Sequence, residues 1–165
     1  MAYEYPLTPL IHKFKYRRNL TSGKLLGQFL AEYISNCAQN NSDWQMPDVI
    51  IPTPMHWMRR WQRGFNQAEI LGSYVASELK LPLATDIIQR KQRTPSQKEL
   101  TRAERQKNLR KAFAISPNNQ QKIIGKHIAL IDDVVTTTAT ARELSQLLIK
   151  AGAADVQIWA LARTM

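Results

Sequence analysis

Apolar positions along this chain fall into several helical stretches, a few short buried runs and a regular strand–helix–strand pattern near the end. Leu7, Leu10, Ile11 and Phe14 recur at helical spacing and predict a short amphipathic helix over residues 8–16. Leu25, Leu26, Phe29, Leu30, Tyr33 and Ile34 make the apolar face of a second helix, with Thr21 or Ser22 as its cap. Residues 36–44 are polar and read as a loop. Val49, Ile50 and Ile51 form a β-branched run that ends at Pro52 and Pro54, which predicts a buried strand entering a rigid turn. Helical period returns over residues 65–79 through Ile70, Leu71, Tyr74, Val75 and Leu79. Ile87 and Ile88 suggest a short strand, residues 90–99 a basic exposed loop, and Thr101 a cap for a helix reaching Lys111. Phe113 to Ile115 is a brief strand candidate.

The last third is the most regular. Residues 127–132 are a near-continuous apolar run, the kind buried on both faces of a parallel sheet. A polar turn over 133–138 leads to a helix over 139–150 that stops at Gly152, and residues 156–161 make the next strand. Strand, helix, strand within residues 127–162 is a βαβ unit and demands a parallel sheet. The expected class is α/β, in one domain over residues 1–165. Residues 1–40 carry its N-terminal helices, and residues 90–111 a basic loop and helix.

A hydrophobic fraction of 44% is that of a globular protein. The single cysteine, Cys37, excludes an intrachain disulfide and any multi-cysteine zinc or iron–sulfur site, and favours a reducing compartment. Apolar stretches stop well short of the ~18 residues of a membrane span, and the first residues lack the basic and apolar regions of a signal peptide. A cytoplasmic protein is expected.

Net charge is +10, and it is concentrated. Lys13 to Lys24 holds five basic residues and no acid, Arg59, Arg60 and Arg63 form a second cluster, and Arg90 to Lys111 holds nine basic residues against Glu99 and Glu104. Such blocks point to an anionic partner: a phosphorylated small molecule, nucleic acid or a membrane surface.

Asp132 and Asp133 stand at the carboxyl end of the apolar strand, where α/β sheets place ligands. Thr136, Thr137, Thr138, Ala139 and Thr140 follow as a helix begins, and a helix N-terminus with added hydroxyls receives an anion well. Adjacent carboxylates accept hydrogen bonds from a diol or hold a hydrated divalent cation. Together they describe a ribose 5-phosphate site. An acidic strand end before a hydroxyl-rich helix cap is the plainer alternative.

This string is similar to the phosphoribosyl diphosphate (PRPP) signature of type I phosphoribosyltransferases. The chain resembles, more closely, the ComF/GntX branch of that superfamily, through Pro52-Thr53-Pro54-Met55-His56, Arg63-Gly64-Phe65-Asn66-Gln67-Ala68-Glu69, Gln97, Leu100, Arg105, Asn108, Ala112-Phe113 and Lys15-Tyr16. The resemblance implies a parallel-sheet type I phosphoribosyltransferase-like fold with helices on both faces, and magnesium arriving with PRPP. It also implies that Asp132 and Asp133 meet the ribose hydroxyls as the catalytic pair, and that residues 136–140 cradle the 5-phosphate. Thr138 stands where the family usually has glycine. Many members carry an N-terminal four-cysteine zinc segment. That segment is absent here, which implies a branch without it or a start inside a longer protein. No residue is assigned as a protein ligand to metal.

His56, Arg59, Arg60 and Arg63 follow the first strand to the same sheet edge and are candidate diphosphate contacts, arginine being the better bidentate partner. For His56 a structural role in the proline-rich turn is the alternative. Asn66 reads as a helix cap and Phe65 as packing, with Gln67 left open between packing and binding. Residues 90–99, with Arg90, Lys91 and Arg93, lie where the family has a mobile lid, though a basic loop that binds nucleic acid has the same composition. Arg102 and Arg105 share a face of the following helix with Asn108 and suit either an anion or an ordinary charged surface. Trp57 and Trp61, four apart among arginines, suit either base stacking or ordinary packing, whereas Trp159 in an apolar strand belongs to the core.

Two functions follow. One is an enzyme, a pentosyl transferase moving phosphoribose between PRPP and a nitrogenous acceptor. The other uses the same fold without catalysis in natural competence, binding PRPP or a nucleotide, single-stranded DNA, or a competence helicase or other DNA-processing protein.

Overall fold

Residues 7–17, 19–55, 57–90, 112–136 and 138–163 are described by a computed structural model. Three parallel strands form the central sheet: β1 (Val49–Pro52), β4 (His127–Val135) and β5 (Asp155–Arg163), in the order β1-β4-β5. A second, antiparallel pair joins β2 (Ile88–Arg90) to β3 (Phe113–Ile115). The helices are α1 (Leu7–Arg17), α2 (Leu20–Asn40), α3 (Trp57–Arg63), α4 (Gln67–Leu79) and α5 (Thr138–Lys150), with a 3-10 turn at Pro117–Lys122.

Alternation along the strands sends successive side chains to opposite faces. Ile50, Ala129, Ile131, Trp159 and Leu161 pack on one side against Phe14, Leu26, Leu30, Leu71 and Val75 of α1, α2 and α4. Val49, Ile51, Ile128 and Leu130 pack on the other side against Leu144 and Leu148 of α5 and against Ile87, Ile88 and Phe113. The sheet is therefore buried on both faces, as the apolar run in β4 predicts, and Trp159 lies in the core. Helices α2 and α4 approach closely: a Cβ on Gly27 would stand 2.5 Å from that of Tyr74. No helix among the described residues is long and apolar enough to cross a membrane.

Several boundaries differ from expectation. Asn19, not Thr21 or Ser22, caps α2, its Oδ1 accepting from Ser22 N at 2.9 Å. Helix α2 continues through residues 36–40, because polar residues on a solvent-facing turn cost it nothing and Asn40 Nδ2 donates back to Asn36 O at 2.7 Å. Residues 57–63 form a short helix that the apolar pattern does not mark. Strand β4 runs on past Asp132 to Val135, since Val134 and Val135 are β-branched and pair with Ala162 and Arg163. The turn before α5 is thereby shortened. Arg90 ends β2 instead of opening a loop. The expected helix over 101–111 lies outside the described residues.

Candidate active site

Parallel pairing brings the carboxyl ends of β1 and β4 side by side, so the segments that follow them share one edge. Thr53 N donates to Ile131 O at 2.9 Å and fixes the start of the β1 loop beside β4. Asn66, buried, caps α4 as its sequence position suggests: Oδ1 accepts from Ala68 N at 3.1 Å. Its Nδ2 donates to Thr53 O at 3.1 Å and thus ties the cap to the β1 loop.

Between these segments lies a cleft of about 220 Å³. Asp132, Asp133, Val134, Val135, Thr136 and Thr140 form its β4 and α5 side, Thr53, Pro54 and Met55 the β1 side. Arg63, Asn66, Gln67 and Ala68 line it where α4 begins, and Lys15 and Arg90 complete it from α1 and β2.

Asp133 is buried and its Oδ2 sits 3.0 Å from Lys15 Nζ, an ion pair nearly enclosed on both sides. Asp133 Oδ1 accepts from Val134 N at 2.7 Å, and Asp132 Oδ1 from Asp133 N at 2.8 Å. Burial, and then the charge of Asp133, push the Asp132 carboxyl up to about 7. The pair thus combines one carboxylate ion-paired to a lysine with a neighbour poised to gain or lose a proton near neutrality. Arg63 Nη1 donates to Gln67 Oε1 at 3.2 Å, and its guanidinium carbon lies 5.1 Å from the Tyr16 ring centroid. The Arg90 guanidinium lies 5.2 Å from the Phe113 ring centroid.

Two acids, three cations and a hydroxyl-bearing helix start in one cleft invite comparison with known proteins. The phosphoribosyl transferase domain family matches residues 65–165. Competence protein F of Haemophilus influenzae is 34% identical over 161 residues, covering 98% of this chain and 69% of that protein. The chain belongs to the ComF family of phosphoribosyl transferase-like proteins. DNA utilization protein YhgH of Escherichia coli K12, 35% identical over 163 residues, covers 99% of this ComF-family chain and 70% of its own length. The glutamine PRPP amidotransferase of Bacillus subtilis, complexed with ADP and GMP, superimposes with a TM-score of 0.58 at 17% identity, over 92% of this chain and 30% of that one. The architecture is accordingly that of type I phosphoribosyltransferases.

Within this ComF-family fold, Asp132, Asp133, Thr136, Thr140, Arg63 and Arg90 come together in the cleft. Thr138 opens α5 and lines a second groove of about 400 Å³ with Arg142, Ser145 and Ile158 instead. Its backbone does not take a positive φ, so the β-branched residue carries no backbone strain there. Ala139 lies in the first turn of α5 without lining the cleft. Arg60 is exposed and pairs with Glu69 at 3.6 Å, outside the cleft lining. His56, Thr137, Lys91, Arg93, Arg102 and Arg105 lie outside the described residues, as do the side chains of Arg59 and Trp57. Trp61 is 82% exposed and unused in packing. Phe65 is buried against Phe14, ring centroids 5.9 Å apart, which is the packing role expected. Lys15 is a charged cleft residue that sequence reasoning did not assign to the site, and Gln67, left open between packing and binding, lines the cleft as well. For Lys15 the signal was its place in the first basic block, and for Gln67 its place right after a helix cap.

Proposed function

We propose that this protein binds PRPP with magnesium in the β1–β4 cleft and transfers its phosphoribosyl group to a nitrogenous acceptor. The convergence of Asp132 and Asp133 with Thr136, Thr140, Arg63 and Arg90 carries this reading. Asp132 and Asp133 accept hydrogen bonds from the ribose hydroxyls. The α5 N-terminus, with Thr136 and Thr140, takes the 5-phosphate. Arg63 and Arg90 face the diphosphate, which departs with the electron pair of its bond to the anomeric carbon as the nitrogen of the acceptor forms the new bond. The acceptor nitrogen then gives up a proton. Fixed cations that meet charge as it develops on the leaving group lower the barrier without covalent chemistry. Two adjacent carboxylates fit a magnesium ion that takes most of its ligands from phosphate oxygens and water, and such an ion neutralises the diphosphate.

Titration calorimetry tests this reading. Saturable PRPP binding that needs magnesium and vanishes in the Asp132→Ala/Asp133→Ala variant is expected, and absence of binding at millimolar PRPP contradicts it.

The names of the relatives, competence protein F and DNA utilization protein, together with the charge of +10, favour a second reading. In it the protein serves natural competence without catalysis, holding single-stranded DNA or a helicase partner. DNA binding of that kind falls steeply with salt, survives the double aspartate change and weakens when Arg59, Arg60 and Arg63 are neutralised together.

A further inference from the structure

Gln67 is 1% exposed, and its Nε2 has no hydrogen-bond partner among the described residues. A buried amide donor left unmatched costs free energy that a fold seldom accepts without use. The amide is not free to turn. Arg63 Nη1 donates to Gln67 Oε1 at 3.2 Å. A guanidinium has only donors, so exchanging the amide ends would set donor against donor. The orphan N–H₂ is therefore the end that remains for a ligand in the cleft that Gln67 lines. It needs an acceptor, and an anionic oxygen is the best one.

Position decides which oxygen. Gln67 opens α4, on the β1 side of the cleft, with the Thr53–Met55 segment beside it. The 5-phosphate belongs at the α5 end and the ribose at Asp132 and Asp133, on the proposed reading. The remaining charged part of the ligand is the diphosphate. Asn66, the neighbouring amide, is already spent on Ala68 N, Thr53 O and Glu69 Oε1.

We infer that Gln67 Nε2 donates a hydrogen bond to a diphosphate oxygen of the bound ligand, with Arg63 as the positioning residue that fixes the amide. This rests on the PRPP reading and goes further, since it names a neutral donor, rather than arginine alone, as the group that distinguishes a diphosphorylated ribose from ribose 5-phosphate.

Gln67→Glu separates binding from structure. It keeps shape and strengthens the contact with Arg63, but turns the donor into an acceptor. Wild type and variant are titrated with PRPP and with ribose 5-phosphate, both with magnesium chloride, and melting temperatures are recorded. The expected result is a loss of PRPP affinity of roughly tenfold or more, ribose 5-phosphate affinity within about threefold, and an unshifted or higher melting temperature. Gln67→Met, of similar length and without a donor, gives the same selective loss and stands in if the glutamate variant fails to fold. Unchanged PRPP affinity, or equal weakening of both ligands, overturns the inference while leaving the PRPP reading intact. A wild type that binds neither ligand overturns both.

Discussion

Asp132→Asn raises the stability of the unliganded protein above pH 7 and weakens its hold on PRPP. Burial and the nearby Asp133 charge push the Asp132 carboxyl up to about 7, against about 3.9 in an unfolded chain. Between those values the native state keeps a proton that the unfolded state has released. Stability from this group is therefore intact at about pH 4, declines as pH rises, and is lost once pH passes about 7. Asparagine is neutral throughout and retains an Oδ1 for the Asp133 amide, which donates to it at 2.8 Å. The difference between variant and wild type should be near zero at pH 4 and grow to on the order of 4 kcal/mol at pH 8. Ligand binding moves the other way. Ribose hydroxyls and a magnesium ion both favour the ionised carboxylate, so wild-type PRPP affinity increases between pH 6 and 8, and the variant loses both the increase and roughly tenfold or more of the affinity. Denaturant melts across this pH range, paired with calorimetry, check both halves. A stability difference that does not depend on pH sinks the electrostatic account.

Lys15→Met strips Asp133 of its cation. Both side chains are largely enclosed, 16% and 12% exposed, so solvent replaces little of the lost attraction. Leaving one partner of an enclosed pair costs about 3 kcal/mol, or roughly 6–12 °C in melting temperature for a chain of this size. Lowering the net charge from +10 relieves some long-range repulsion, but that term is screened beyond about 10 Å at moderate salt and does not compete. In the Lys15→Met/Asp133→Asn double variant most of the stability returns, because no uncompensated charge is left. A single variant as stable as wild type at pH 7 shows that the pair contributes nothing.

The central strand and its helix were legible because their signals are local. Ile128 to Ile131 is apolar on both faces, and Gly152, with φ near +107°, ends the helix unit where its residue type says. Asp132, Asp133 and Thr136 could be placed together because they follow one another on that strand. What stayed hidden depends on reach across the fold. Lys15 meets Asp133 from a helix more than a hundred residues earlier in the chain, and no periodicity in α1 distinguishes it from Lys13. Arg90 enters the cleft only because β2 pairs with β3 and turns it there. Gln67 and Arg63 were neighbours in sequence, yet only the geometry shows that one arginine orients an amide and leaves its donor free. Arg60, of the same type and cluster as Arg63, points to Glu69 instead: composition named the cluster, and helical phase chose its member.

The most direct measurement of the central claim is a crystal structure of the wild-type protein grown with PRPP and magnesium. The account predicts the 5-phosphate at residues 136–140, its oxygens within hydrogen-bond distance of the Thr136 and Thr140 hydroxyls, and both ribose hydroxyls on the carboxylates of Asp132 and Asp133. A ligand bound away from the β4–α5 turn, or a cleft that stays empty at saturating PRPP while Lys15 keeps its hold on Asp133, contradicts it.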